Sequence, residues 1–316
     1  MIKEALFYSK ILLFGEYGII QDSMGLSIPY KAFRGELKFS SENFEAKEKS
    51  QKALNEYATH LQNLVNEPDF HAKIDVEAFK KDIEKGMYFD STIPQGFGVG
   101  SSGAIVAAIY DKYAIDKFGQ SEEEIGKNEI VELKEIFGKM ESFFHGKSSG
   151  IDPLICYLKL PILIKGKGDL GTVGIPASND SSAEEGAIFL LNSGTPGETQ
   201  PMVNIFMEKM KQEGFRNMIK SQFKKYNDEC INAFLKGDTK PLFKNLKNLS
   251  GLILDNFKPM IPKAFHKIWK QGLESNAYYL KLCGSGGGGF VLGFTQDLEK
   301  AKSLLKNHEL EVIYKF

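Results

Sequence analysis

Residues 94–104 read Pro94-Gln95-Gly96-Phe97-Gly98-Val99-Gly100-Ser101-Ser102-Gly103-Ala104 and run straight into the apolar stretch Ile105-Val106-Ala107-Ala108-Ile109. Glycines at alternate positions allow positive φ and close approach of backbone to a ligand. The first N–H groups of the helix that follows have no intrahelical partner, and an anion is their natural occupant. A tight turn with no ligand has the same glycine spacing. The paired serines go further, because Ser101 and Ser102 stand where a helix cap and a metal-ligating hydroxyl would both be placed. The segment therefore predicts a phosphate cradle at a helix start.

At 316 residues the chain exceeds the size at which one core usually suffices, so two domains are expected. Hydrophobic residues at 42% and charged residues at 26% are the proportions of a globular protein with a substantial core. Forty basic against forty-one acidic residues supply no overall field for capturing nucleic acid or an anionic membrane, which points to a small-molecule partner and away from both. Cys156, Cys230 and Cys283 lack metal-ligand spacing and do not suggest a disulfide framework. A reducing compartment is expected. The opening residues Met1-Ile2-Lys3-Glu4-Ala5-Leu6-Phe7 carry a glutamate within a short apolar run, and no apolar stretch has the length of a membrane span, so a cytoplasmic location is the expectation. A homodimer is left open.

Strand-like runs occupy residues 6–14 and 26–39, suggesting an antiparallel opening. Leu54, Tyr57, Ala58, Leu61, Leu64 and Val65 recur at spacings of three and four, which predicts an amphipathic helix over residues 47–66. Further helices are expected from the cradle to about residue 118 and over residues 128–144, the second ending at His145-Gly146. Strands are expected at residues 154–164 and 187–192, then helical runs at 199–225, 226–236 and 241–255. Residues 278–282 and 290–294 read as strands joined by Gly284-Ser285-Gly286-Gly287-Gly288-Gly289. This last run satisfies G-x-G-x-x-G, yet strand rather than helix follows it, which argues against a dinucleotide site. Gly146-Lys147-Ser148 imitates the end of a Walker loop, but Glu141 stands where that loop requires glycine.

Three separated segments then need one explanation: Ser9-Lys10-Ile11-Leu12-Leu13-Phe14-Gly15-Glu16, the cradle, and Glu141-Ser142-Phe143-Phe144-His145-Gly146-Lys147-Ser148-Ser149-Gly150-Ile151-Asp152. Taken singly, each has a plainer reading. Lys10 would be an edge or surface lysine, Glu141 a solvated helix residue, Asp152 before Pro153 a turn residue and His145 before Gly146 a helix stop. Together, and with the late glycine loop, they resemble the GHMP kinases, and within that family the mevalonate kinases. The resemblance runs from residue 9 to residue 294.

It implies an α+β, two-domain GHMP kinase fold, with a ribosomal protein S5 domain 2-like N-terminal domain over residues 1–184 and a ferredoxin-like C-terminal domain over residues 185–316. It implies ATP and Mg²⁺ as cofactors and mevalonate as the small-molecule substrate, phosphorylated on its primary hydroxyl to 5-phosphomevalonate in isoprenoid precursor synthesis. By the same resemblance Asp152 and Lys10 are catalytic, Ser102 and Glu141 hold the metal, and Pro94, Gly96, Gly98, Val99, Gly100, Ser101, Ser102 and Gly103 hold the nucleotide. Glu16, Tyr17, His145, Ser149, Gly150, Thr199, Gly284 and Ser285 are the implied substrate contacts, although Thr199 also reads as a helix N-cap. The chain departs from mevalonate kinases at Tyr17, where histidine is usual, at Ser148 for proline, at Gly103 for alanine and at Cys283 for threonine. These departures keep open a kinase of the same family acting on another small alcohol or sugar. A non-catalytic protein of this fold that senses a nucleotide or isoprenoid is the alternative of a different class.

Overall fold

The computed structural model of the chain describes residues 5–39, 44–118, 125–166, 168–177 and 186–316. The expected domain boundary at residues 184/185 lies outside the described residues. The chain divides into two compact units. The first takes Met1–Lys10, Ile28–Pro94 and Gly100–Leu160, and the second takes Ile11–Ser27, Gln95–Val99 and Pro161–Phe316. Strands β1 (Phe7–Phe14) and β2 (Gly25–Lys38) contribute residues to both.

In the first unit β2 is followed by helices α1 (Phe44–Leu64) and α2 (Val76–Glu84), then by strand β3 (Tyr88–Ser91). β3 pairs antiparallel with the far end of β2, with Gly35 opposite Ser91 and Lys38 opposite Tyr88. Helices α3 (Ser101–Tyr113), α4 (Lys127–His145) and α5 (Ile151–Leu158) complete the unit. The three-and-four spacing expected of residues 47–66 is realised in α1: Leu54, Tyr57, Ala58, Leu61 and Leu64 are all buried. Tyr57 also donates its hydroxyl to the carbonyl of Met140 at 3.1 Å, fixing α1 to α4. Helix α3 stops at Tyr113, short of residue 118, because Ala114 turns extended and bridges to Ile74.

The strand expected over residues 154–164 is corrected. Residues up to Leu158 are helical, and strand begins only at β4 (Ile162–Gly166). Pro153 sits in the first turn of α5, where its fixed φ suits a helix and its missing N–H costs nothing. A run apolar on every side carries no periodicity to separate buried helix from strand.

In the second unit β4 pairs antiparallel with residues 25–27 of β2 and with β5 (Asp169–Thr172). A second sheet begins with β6 (Ala187–Asn192), after which come α6 (Thr199–Met210), α7 (Glu213–Met218), α8 (Lys224–Lys236), α9 (Thr239–Asn256) and α10 (Phe265–Ser275). Strands β7 (Tyr279–Leu282) and β8 (Phe290–Thr295), helix α11 (Leu298–Leu304) and strand β9 (Leu310–Lys315) close the chain. The sheet order is β7-β8-β6-β9 with every neighbour antiparallel. This is the β-α-β-β-α-β ferredoxin-like arrangement, with five helices in place of the first one. The run expected to be helical over residues 199–225 is interrupted where Gln212 goes extended, and a π-helical stretch, Ile219–Phe223, then joins α7 to α8. The single tryptophan, Trp269, is fully buried on α10 and donates to the Ser250 hydroxyl at 2.9 Å. Among the described residues no helix is long and apolar enough to cross a membrane.

Candidate active site

The cradle has the backbone its glycines imply, with Gly96, Gly98 and Gly100 at φ of +78°, +77° and +81°. This is the left-handed region that side-chain-bearing residues seldom adopt. The serines do not cap the helix. Gly100 holds the N-cap position, with no side-chain cap, and Ser101 and Ser102 are the first two helical residues of α3. The first intrahelical bond runs from the Ala104 N–H to the Gly100 carbonyl at 3.1 Å. The N–H groups of residues 101–103 therefore lie at the helix start, where the peptide dipoles favour an anion.

Around that start the first unit gathers charged or hydroxylic side chains from four elements and from the turn before α5. Lys10, on β1, is buried, and its stem packs on Gly100, where an added Cβ would come within 2.8 Å of Lys10 Cγ. Lys10 Nζ meets Asp152 Oδ1 at 3.0 Å. Asp152 is the second residue of α5, a position where helix dipoles favour a carboxylate. The aspartate side chain keeps 34% of its surface open while the lysine keeps 5%, so one member of the pair is accessible and the other is fixed. Ser102 donates its hydroxyl to Glu141 Oε1 at 2.8 Å, and the Ser148 hydroxyl donates to Oε2 of the same carboxylate. Burial, and then the neighbouring Asp152 charge, push the Glu141 carboxyl up to about 7 against the opposing effects of Ser148, Ser102 and Lys10.

A carboxylate so deprived of water is well matched to a cation. Ser102 and Glu141 offer hard oxygens of the kind Mg²⁺ takes, and that ion commonly completes its shell with phosphate and water. Among the described residues no cluster of three or more His, Cys, Asp or Glu side chains occurs.

The departure at Gly103 has a structural cause. A Cβ there would lie 2.7 Å from the Asp152 carbonyl carbon and 2.8 Å from the Pro153 nitrogen, so α3 and α5 approach as closely as they do only because the position is glycine. Gly103→Ala is expected to destabilise the fold by about 1–3 kcal/mol, read by chemical denaturation followed by circular dichroism. An unchanged midpoint would show that the two helices separate freely.

Other expected positions are placed as follows. Gly150 is the left-handed residue that opens α5, and the Ser149 hydroxyl accepts the Ile151 N–H at 3.4 Å. His145 ends α4, and its side chain lies outside the described residues. Pro94 belongs to the first unit and makes none of the contacts that join Lys10, Ser102, Glu141 and Asp152.

The remaining expected residues belong to the second unit, where the two glycine-rich segments meet. A Cβ on Gly98 would lie 2.5 Å from the Cys283 carbonyl oxygen, next to Gly284, and the Gly197 N–H donates to the Gly96 carbonyl at 2.7 Å. Val99 is buried beside them in sequence. Thr199 is the first residue of α6, with Glu198 at the cap, and the Ser285 hydroxyl donates to Thr199 Oγ1 at 3.4 Å. Glu16 is buried in an ion pair with Lys281, and the Tyr17 hydroxyl donates to the Ser285 carbonyl at 2.6 Å. Cys156, Cys230 and Cys283 are all buried thiols outside any disulfide. Burial holds the Cys156 thiol well above its usual range, as in an unreactive packing residue.

Two residues that make contacts here are not among the expected site residues. Ser148 holds the carboxylate of Glu141, and its signal was its place where mevalonate kinases carry proline. Lys281 neutralises Glu16, and its signal was a lone cation inside the strand Tyr279-Leu280-Lys281-Leu282.

Comparison with known proteins gives the family. The family model for the GHMP kinases N terminal domain matches residues 53–159, and that for the GHMP kinases C terminal domain matches residues 230–309. The chain belongs to the GHMP kinase family and has its two-domain α+β fold. It is thereby a small-molecule kinase of a family that uses ATP.

Among solved structures it is similar to the Methanococcus jannaschii mevalonate kinase, with 20% identity, a TM-score of 0.58, and coverage of 99% of this chain and 98% of that one. The L. major mevalonate kinase in complex with R-mevalonate matches with 16% identity and a TM-score of 0.60, over 97% of this chain and 91% of that one. The Streptococcus pneumoniae phosphomevalonate kinase matches with 14% identity and a TM-score of 0.61, over 100% and 99%. At these identities the likeness is one of fold. No curated protein matches the chain in sequence.

Proposed function

We propose that this protein transfers the γ-phosphoryl group of ATP to the primary hydroxyl of mevalonate, giving 5-phosphomevalonate for isoprenoid precursor synthesis. The observation that carries the proposal is the 3.0 Å pair of Lys10 and Asp152 beside the Ser102–Glu141 contact at the start of α3. Phosphoryl transfer needs a nucleophile held in place and donors for the charge on the transferred group. In this reading the N–H groups at the start of α3, together with Gly96, Gly98, Val99 and Gly100, bind the phosphates. Ser102 and Glu141 hold Mg²⁺, which when bound neutralises charge on the phosphate oxygens.

Asp152, the open member of the ion pair, takes the proton that the acceptor hydroxyl loses as its oxygen bonds to phosphorus and ADP departs. Lys10, 3.0 Å from that carboxylate, holds it in place and puts a positive charge beside the alcohol, lowering the alcohol's proton affinity. The hydroxyls of Thr199 and Ser285 are assigned to the acceptor. The similarity to both mevalonate and phosphomevalonate kinases, at comparable TM-scores, makes a second acceptor of the same family the competing reading. Tyr17, at a position where mevalonate kinases carry histidine, favours testing it.

ADP release measured with Mg²⁺ and a panel of mevalonate, phosphomevalonate, homoserine and galactose decides the acceptor. Mevalonate is expected to give the highest kcat/KM. Turnover confined to another member of the panel would keep the kinase and replace the substrate.

A further inference from the structure

Glu16 and Tyr17 are neighbours in sequence, and each reaches a different point on one short segment of the second unit. Lys281 donates to the Glu16 carboxylate and also, at 3.0 Å, to the carbonyl of Leu282, so a buried ion pair anchors the end of β7. Four residues along, the Ser285 carbonyl accepts the Tyr17 hydroxyl at 2.6 Å. The tyrosine is itself held hard. Its ring stacks on Phe206 with centroids 4.6 Å apart and tilts against Phe257 at 5.7 Å, and it is 7% exposed.

Its backbone sits at φ +59°, a conformation uncommon for a residue with a side chain and one that persists only where the surroundings enforce it. Burial, and then the adjacent Glu16 charge, hold the phenol far above the usual tyrosine range, so it remains a donor at neutral pH. The segment it grips has reason to need fixing. Gly284, Gly286, Gly287 and Gly289 all have positive φ, and glycine backbone is the most costly to order. Ser285, in the midst of them, directs its own hydroxyl to Thr199.

We infer that Tyr17 is a positioning residue: with the Glu16–Lys281 pair it braces residues 281–285, so that the Ser285 and Thr199 hydroxyls form a preset pair that receives the acceptor. Tyr17 then serves the acceptor through the glycine loop rather than by touching it. The word acceptor rests on the reading under Proposed function, whereas the brace itself does not.

Tyr17→Phe keeps the stacked ring and removes only the O–H. Hydrogen exchange followed by mass spectrometry needs no substrate, and two loop amides report directly, since Gly287 N–H donates to the Met260 carbonyl and Gly289 N–H to the Thr195 carbonyl. Their exchange is expected to quicken roughly tenfold in the variant while peptides from β8 and α6 exchange as in the wild type. Unchanged loop exchange would overturn the brace whatever the acceptor proves to be.

With the acceptor that the wild type turns over best, the variant is expected to raise the acceptor KM roughly tenfold and leave kcat and the ATP KM within about twofold. The Tyr17→Phe/Ser285→Ala double variant is expected to be no worse than the worse single one, because both act through one hydroxyl. Fully additive losses would mean that Tyr17 contacts the acceptor itself, and the inference would fall.

Discussion

Asp152→Asn is expected to lower kcat by about a hundred- to ten-thousandfold, the range in which a positioned proton acceptor contributes. The variant removes the negative charge and the basic oxygen but little volume, and the amide can still rest against Lys10. ATP affinity, measured by titration calorimetry, is expected to stay within about threefold, because Asp152 is assigned to the hydroxyl rather than to the nucleotide. The combination is diagnostic. A loss of turnover below about tenfold would remove Asp152 from the chemistry. Negligible turnover in the wild type and the variant alike, with nucleotide binding intact in both, would instead favour a sensing protein on a kinase fold.

The second large effect is expected at Glu141. Glu141→Gln preserves shape and an oxygen for the Ser102 hydroxyl, yet removes the buried negative charge facing that serine. If Ser102 and Glu141 hold Mg²⁺, kcat is expected to fall by about a hundred- to a thousandfold, the loss typical when one stabilising charge or donor is taken from a developing anion. The Mg²⁺ concentration giving half-maximal turnover should rise at the same time by roughly tenfold or more, as for loss of a principal ligand or its close support. Ser102→Ala is expected to move both quantities the same way by less, since a neutral hydroxyl contributes less than a carboxylate. An unchanged metal dependence in both variants would mean that the pair serves packing alone, with its ligand elsewhere.

What the sequence made legible follows from how local each signal is. The cradle could be read because glycine spacing and a helix start are written in consecutive residues, and its positive φ angles follow from them. The amphipathic helix α1 and the strands β7 and β8 were equally readable, since each carries its periodicity within a few turns or residues. The bringing together of Lys10 and Asp152, 142 positions apart, could be expected only through family resemblance, because no local rule couples a strand lysine to a helix-start aspartate.

Other features left no local trace. Gly100 displaced the serines from the cap because a left-handed glycine was already required there. The partnership of Glu16 with Lys281 joins the turn after β1 to strand β7, and nothing near either residue announces the other. Residues 154–158 of helix α5 read as strand because burial on all sides erases the pattern that separates the two.

The most direct measurement follows the phosphoryl group itself, by ³¹P NMR of the protein incubated with ATP, Mg²⁺ and mevalonate. The γ-phosphate resonance is expected to disappear as ADP and a phosphomonoester of mevalonate grow in equal amounts, with Lys10→Met and Asp152→Asn both forming the ester far more slowly. A γ-phosphate that remains intact under these conditions in a folded sample, or that appears only as inorganic phosphate, would contradict it.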